Sequence, residues 1–516
     1  MRLLPFLLLL CASSCATAYR SQHLDDRVES VLSRRGDEVR RERELRVRAP
    51  EAKAEVLVEP SVESEARLLR LEDALQLAVL HNRDYRTEVE SLYLTAVALL
   101  GTRHAFSPQL TAVLGYLFSD ATGFPSSGVA SGRIGVTQVL PWGGNVGVDA
   151  SSSFAGVPDA TDSFGAGLSV RLTQPLLRGA GREVSHEALV QAERTMIYEV
   201  RDFELFREDF ALEVASRFYG LVQSNKQILN QAENLERASF DRSKSEALFN
   251  VGRVTELEVL RAKRQELNSQ NALLGARESY LLELDRFRIF LGLQESVVLE
   301  IADEPPSYVP VAYDLESAVQ VALENRLDVL NRREQVEDAE RAVRIARNGL
   351  LPDLDLTLSL GRNALAAATV SDLDLDLDQS DVSAGLSLEI PLDRVDESHA
   401  YRTAQISLER ARRGYEVFVE TLRSEIRSAI RELERREISV QITRELITGE
   451  EKNKRLAVLQ YERGQIDNRE LVDAEQSLLN ARNDLIDEQV SYELARLRLL
   501  RDLGILFIDE RGIWTE

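Results

Sequence analysis

Glu470 and Asp473 stand three residues apart in a stretch rich in helix formers. That spacing puts both carboxylates on one face of a helix, where together they could attract a cation. The other reactive side chains are scattered. Both cysteines, Cys11 and Cys15, fall in the first fifteen residues, so the body of the chain has no disulfide, cysteine nucleophile or thiolate metal site. His23, His81, His104, His186 and His399 never stand at metal-ligand spacing. Asp372, Asp374, Asp376 and Asp378 could hold Ca²⁺ in a loop, but their alternation reads better as a polar strand face or an open loop. There is no nucleophile motif and no phosphate-binding glycine loop ahead of a helix. No enzyme activity, cofactor or metal is therefore expected.

The formal charge of -23 over 516 residues argues against a nucleic-acid partner, which would require a basic face. The N-terminus, "MRLLPFLLLLCASSCATA", has a basic residue, an apolar run and small residues, the pattern of a secretory signal. Two cleavage readings stay open. Ala12-Ser13-Ser14-Cys15 reads as a bacterial lipobox, which would make Cys15 the lipidated mature terminus and tether the chain to a membrane. Cleavage after Ala16-Thr17-Ala18 is the alternative, and the lipoprotein is preferred. Residues from Tyr19 to Glu59 are charge-rich and read as a solvated linker with at most one short helix.

The elements that hold the acid pair are written twice. "LFNVGRVTELEVLRAKRQELN" from Leu248 aligns without a gap on "QYERGQIDNRELVDAEQSLLN" from Gln460, placing Gly252 on Gly464 and Glu258 on Glu470. Upstream, "LEDALQLAVLHNRDY" from Leu71 matches "LESAVQVALENRLDV" from Leu315, and Pro108 matches Pro352. The chain is an internal duplication. From Leu176 to Glu304, and from Leu392 onward, it has no proline. Proline costs about 3 kcal/mol inside a helix, so both spans read as long helices, each cut by a glycine turn into a longer and a shorter arm. Leu260, Leu267, Leu274 and Leu281 recur every seventh residue beside a second stripe of Val259, Leu273, Tyr280 and Phe287. Two stripes on one helix call for a neighbour on either side, as in a ring or a bundle.

The proline-bearing stretches decide between those two. "PQLTAVLGYLFS", "GRIGVTQVLP", "NVGVDASSSF" and "FGAGLSVRLTQP" alternate in the first copy, and "PDLDLTLSLG" and "DVSAGLSLEIP" in the second. Leu354, Leu356, Leu358 and Leu360 share one face, and Asp353, Asp355, Thr357 and Ser359 the other. That is the dyad pattern of a strand between lipid and a watery lumen. Beyond the signal no apolar run is long enough for a membrane helix. An exported chain with so few strands could span a bilayer only by joining others into a closed barrel.

On the doubled "ALQLAVLHNRDY"/"AVQVALENRLDV", the Pro-led strands after each, "TQPLLRGAG" at Thr173, "FNVG" at Phe249 and "YERGQ…ELVDAEQSLLNAR" at Tyr461, the chain resembles the TolC-like outer-membrane efflux proteins of Gram-negative bacteria. The resemblance runs from about Leu71 to Ile508. It implies an α+β membrane protein, a homotrimer whose strands pool into one outer-membrane β-barrel continued by a long periplasmic α-helical barrel. It implies a passive exit duct of a tripartite efflux or type I secretion system, fed by an inner-membrane transporter through a periplasmic adaptor. By the resemblance, Val251, Gly252, Arg253, Val254 and Thr255, with Arg463, Gly464, Gln465, Ile466 and Asp467, are the helical tips that dock the adaptor. Tyr461, Glu470 and Asp473 match the pore constriction, with Glu470 where the family usually has Asp, and Phe249, Glu258 and Arg261 are their first-copy counterparts. Arg261 is expected to pair with a neighbouring carboxylate and latch the closed state. Relatives send one pair of strands from each repeat, about twelve in a trimer; four strands in the first repeat here would raise the total to about eighteen. A lipid-tethered periplasmic coiled-coil scaffold is the alternative, and it leaves the paired strand sets unexplained.

The expected organisation is a signal over 1–14, a charged linker over 15–65, a first repeat over 66–300 with strands at about 108–177, a linker over 301–314, a second repeat over 315–508 with strands at about 352–391, and a tail over 509–516.

Overall fold

The computed structural model describes residues 21–46, 67–119, 127–156, 163–294, 296–303, 306, 314–367, 380–463, 465–509 and 511–515. Cys15, Gly464 and the aspartates at 372–378 lie outside them, as do most of the loop positions between the first-repeat strands. The segment Ser21–Arg46 forms a helix, α1, and Arg67–Leu69 a short strand, β1. Two passes of similar order follow; among the described residues the second has two strands in place of four and no short helix before its long arm. The first pass is α2 (Leu71–His81), α3 (Arg83–Ala105), strands β2 (Gln109–Ser119), β3 (Ser127–Val139), β4 (Asn145–Gly156) and β5 (Ser163–Pro175), the short α4 (Arg182–Ser185), then α5 (Glu187–Asn250) and α6 (Glu256–Phe290). After β6 (Leu299–Ile301) come α7 (Leu315–Asn325), α8 (Leu327–Asn348), β7 (Asp353–Ala367), β8 (Asp381–Glu389), α9 (Val395–Glu462) and α10 (Asn468–Asp502), closed by β9 (Phe507–Ile508) and β10 (Trp514–Thr515). The long arms α5 and α9 run 64 and 68 residues and the shorter arms 35 each, so the helix lengths match across the two passes.

The chain divides into two units. The first comprises the described residues of Met1–Val39, Ser91–Val200 and Asn331–Glu416. Its centre is one antiparallel sheet in the order β2-β3-β4-β5-β7-β8, so β5 and β7 join the strands of the two passes edge to edge. The registers run without a break, and every pairing matches odd positions with odd and even with even. Even positions therefore share one face throughout, and it is apolar. Leu110, Val136, Val148, Val170, Leu360 and Val382 form a single row across all six strands. The odd face carries Ser, Thr, Gly and Asp, with Ser119 bonded to Ser127 and Ser359 to Ser383 across strands. Helical parts of this unit are tied by ions: Asp338 takes Arg194 and Arg341, each at 2.8 Å, and the Tyr198 hydroxyl donates to it at 2.6 Å.

The stretch read as a solvated linker differs from expectation. It carries the 26-residue α1, with Val28, Val31 and Val39 buried. Three valines among so many Arg and Glu were too sparse a pattern to announce an apolar face.

The second unit comprises the described residues of Arg40–Glu90, Arg201–Leu330 and Val417–Glu516. Its core gathers Leu75 and Ala78 of α2, Phe210, Val214, Phe218 and Leu221 of α5, Phe287 of α6 and Leu497 of α10. Tyr85, Phe206, Phe210, Phe290 and Phe287 follow one another at centroid distances of 5.1 to 6.5 Å, a spacing that adds to plain area burial. Parallel pairing of β1 with β6 closes one side.

One of the two stripes on α6 is buried here and the other is not. Ala262, Ser269, Leu273 and Phe287 are buried, whereas Leu260, Leu267, Leu274 and Leu281 are each more than half exposed. On α9, Ile438, Ile442, Leu446 and Leu456 are exposed in the same way.

Candidate functional site

The candidate site lies in the second unit, where α5 turns into α6 and α9 into α10. The two turns share one backbone hydrogen bond. After α5, Gly252 adopts φ +70°, its N–H donates to the Phe249 carbonyl at 2.8 Å, and the Arg253 N–H donates to Leu248 at 2.9 Å. This pair of bonds caps the last carbonyls of a helix and needs a left-handed residue between them. After α9, the Gln465 N–H reaches the Gln460 carbonyl at 2.9 Å, the counterpart of the Arg253 bond.

The two restarts differ. Thr255 begins α6 with no side-chain cap, whereas Asp467 begins α10 with Oδ1 accepting from the N–H groups of Arg469 and Glu470 at 2.9 and 3.2 Å. A carboxylate here satisfies free amides and faces the positive end of the helix. Its other oxygen lies 3.6 Å from Arg261 Nη1, so Arg261 has the neighbouring carboxylate expected for it. The ion pair ties the first shorter arm to the second turn.

Tyr461 packs on Ala457, Leu471 and Ala474 with Val458 and Ile466 around it. The Lys244 ammonium sits 5.5 Å from its ring centre and 3.6 Å from Glu462. Burial drives the Tyr461 phenol upward in pKa; Ser245 beside it acts the other way, and the Glu258 and Asp241 carboxylates add to the rise. Glu258 thus belongs to the surroundings of Tyr461, and Phe249 stands exposed at the end of α5. Glu470 and Asp473 do not join this cluster. Both are exposed on α10, on the side away from buried Leu471 and Ala474. Arg469 reaches Asp473 at 3.8 Å across a solvated surface, a pair of little energetic weight.

A second group of acids went unseen in the sequence. Asn234, Ala238, Asp241 and Glu475, with Ala262, Gln265 and Val472, line a small cavity between helices. Burial, then the nearby Glu475, pushes the Asp241 carboxyl up to about 6, against the pull of Lys244, Lys454 and Arg237. Lys454 itself pairs with Glu475 at 3.3 Å. The signal was available: Asn234, Asp241 and Ser245 are polar residues set into an otherwise packed helical stripe. Because the folded value lies above the ordinary one of ~3.9, the fold prefers the protonated acid. That stabilisation is full below about pH 4 and is lost as the pH rises through 6. Asp241→Asn should flatten the dependence of the melting temperature on pH between 4 and 7. It should also gain about 1 kcal/mol at neutral pH, once the part-exposure of the group is discounted. A slope equal to that of the parent would show that another group titrates.

The family model of outer membrane efflux proteins matches residues 318–504. Over those residues the chain is similar to the outer membrane efflux proteins. The match covers the second pass from α7 to the end of α10, and solved structures extend the likeness over most of the chain at the level of fold. CusC aligns over 88% of this chain and 99% of its own, with a TM-score of 0.65 and 13% identity. The outer membrane protein VceC of Vibrio cholerae aligns over 84% and 96%, with 0.64 and 18%. The MtrE outer membrane channel of Neisseria gonorrhoeae aligns over 84% and 89%, with 0.60 and 15%. Among curated proteins no sequence matches significantly. The resemblance to the TolC-like efflux proteins is borne out.

Proposed function

We propose that three copies of this chain form an exit duct through the outer membrane of a Gram-negative bacterium. In this reading the duct passively carries substrates received from an inner-membrane transporter through a periplasmic adaptor. The observation that carries the reading is the sheet. One face is apolar from edge to edge and the other polar, which suits a wall between lipid and water and leaves a soluble protein with a large bare surface. The outer strands β2 and β8 have no partner on their far sides among the described residues, and in a bilayer such edges are tolerated only when closed on other strands.

The helices supply matching faces for a neighbouring copy. The exposed heptad Leu260, Leu267, Leu274 and Leu281 of α6 suits the exposed Ile438, Ile442 and Leu446 of α9 on the next chain, a head-to-tail contact that closes a ring. At the tip, Val251 is exposed and nothing lies within 4 Å of the position a Cβ would take on Gly252, which suits close approach of an adaptor's backbone. Glu470 and Asp473, exposed on α10, would form a ring of acids around the constriction. The test is the full chain purified in detergent and inserted into planar bilayers. A trimer with cation-preferring conductance is expected, and a well-folded trimer that never conducts would overturn the reading.

A further inference from the structure

We propose that all six strands of each copy enter the barrel wall, so that three copies close a barrel of about eighteen strands rather than the about twelve that the resemblance implies. This rests on the duct reading above and adds the width of the exit and the class of cargo it takes.

The register of the sheet carries the argument. Followed from strand to strand, Gln109 of β2 is level with Thr137, Gly147, Arg171, Ser359 and Ser383. On the side where β2 begins and β8 ends, the strands run past that row to Val139, Asn145, Pro175, Asp353 and Glu389. The ends step steadily downward, and the last strand lies six residues lower than the first. A barrel needs this stagger, because tilted strands whose ends lie at one level must slip in register around the wall. Six residues of ~3.3 Å over five spacings of ~4.8 Å correspond to a tilt of roughly 40°, within the range that barrels adopt. Neither β3 nor β4 breaks the progression. An even number of alternating strands also leaves β2 and β8 antiparallel, so β8 of one copy can pair with β2 of the next.

The apolar face has the height of a bilayer on the same assumption. Leu354, Leu356, Leu358 and Leu360 lie above the lower end of β7, and the first charged side chain on that face is Arg362. Nine residues at that tilt climb about 23 Å, close to the height of a lipid-facing band. Phe118 of β2 and Phe154 of β4 stand as far above the lower ends of their own strands as Arg362 does on β7, with Tyr116 and Phe164 one step below and above. They form an aromatic girdle at the level where an arginine can reach the headgroups. At the lower end Trp142, in the turn between β3 and β4, is exposed. Phe154 of β4 thus stands in the girdle with the aromatics of β2 and β5, a place that a hairpin folded outside the wall would not give it.

The polar face is concave. A hollow of about 530 Å³ lies over β2, β3, β4 and β5, lined on that face by Val113, Ser131, Arg133, Ser151, Ser153 and Gly167. Since barrel diameter grows roughly in proportion to strand number, the lumen is about half as wide again as a twelve-stranded one. Its wall of serine and glycine offers water-bridged contacts and no greasy pocket. The cargo class is therefore hydrophilic and bulky.

Single cysteines placed in a Cys15→Ala background, labelled with bimane and reconstituted with spin-labelled lipid, test the assignment. Ile134→Cys and Val148→Cys should be quenched several-fold more strongly than Arg133→Cys and Ser151→Cys, and as strongly as Leu358→Cys and Leu386→Cys. Conductance of each labelled variant checks that it has folded. If Leu358 and Leu386 are quenched but Ile134 and Val148 are not, β3 and β4 stand outside the wall and the proposal fails while the duct survives. If none is quenched, the duct reading itself fails. Polyethylene glycols of graded size give the second measure: those as wide as a general porin admits should enter and lower the conductance, and exclusion of all but the smallest would overturn the wide lumen.

Discussion

Gly292→Ala is expected to cost several kcal/mol and to lower the recovery of folded chain, although the glycine lies far along the sequence from either turn. Gly292 follows α6 with φ +74°. Its N–H and that of Leu293 return to Ile289 and Arg288 at 3.0 and 3.1 Å, the same left-handed cap as at Gly252. A methyl group there would lie 2.1 Å from the His81 carbonyl oxygen and 2.7 Å from its carbon. Those atoms form the joint between α2 and α3 and are not free to move. The Asn82 amide donates to Phe290 at 2.6 Å, its oxygen accepts from the Tyr85 N–H at 2.8 Å, and Leu291 is wholly buried beside them. The left-handed backbone alone would cost an alanine about 1–2 kcal/mol, and the collision adds to it. Gly504 repeats the arrangement against Asn325 and Arg326 with more room, at 2.9 to 3.1 Å. Gly252 has φ +70° but nothing within 4 Å. Melting in detergent should rank Gly292→Ala below Gly504→Ala, and both below Gly252→Ala. Equal losses at Gly292 and Gly252 would mean that backbone strain decides and the helix joint does not.

The duplication made much of this legible. Gly292 and Gly504 aligned on each other in the sequence, as did the residues of the two joints they touch, but their contact was invisible because it links positions some two hundred residues apart. The strands declared themselves by alternation: Leu354 to Leu360 against Asp353 to Ser359 fixes which face is which, since a strand's side chains alternate by necessity. That β5 pairs with β7, joining the two passes into one sheet, depends on backbone bonds between distant segments and has no local sign. In the candidate site, the turns and their glycines followed from local backbone chemistry. The partner of Arg261 could be given only as a nearby carboxylate, because choosing Asp467 requires knowing how two hairpins lie side by side. Asp241 was passed over because an acid inside a packed stripe looks like a solvated position until its neighbours are known.

The pair of Arg261 and Asp467 should have a large effect on conduction for a reason its own strength does not suggest. At 3.6 Å, with side chains 41% and 48% exposed, it is worth at most about 1 kcal/mol in one chain. In the proposed threefold ring, opening as a unit, the contribution would count three times, so the three pairs would favour the closed state by at most ~3 kcal/mol and their loss would raise the open population by at most roughly 100-fold. Arg261→Ala removes the cation. Asp467→Asn removes the charge while keeping a side chain that still caps α10, so a changed conductance in that variant cannot be assigned to a frayed helix. Each is expected to raise the leak through channels in planar bilayers, and the double variant should leak no more than either single one. Glu470→Gln with Asp473→Asn should act differently, abolishing cation preference and block by multivalent cations while leaving the closed fraction nearly unchanged, because neither acid joins the Arg261 contact. Additive leaks from Arg261→Ala and Asp467→Asn would show that they do not act through one another. Selectivity unmoved in the Glu470/Asp473 variant would leave those acids on a plain solvated face, and the narrowest part of the path would have to be sought at Tyr461 and Glu258.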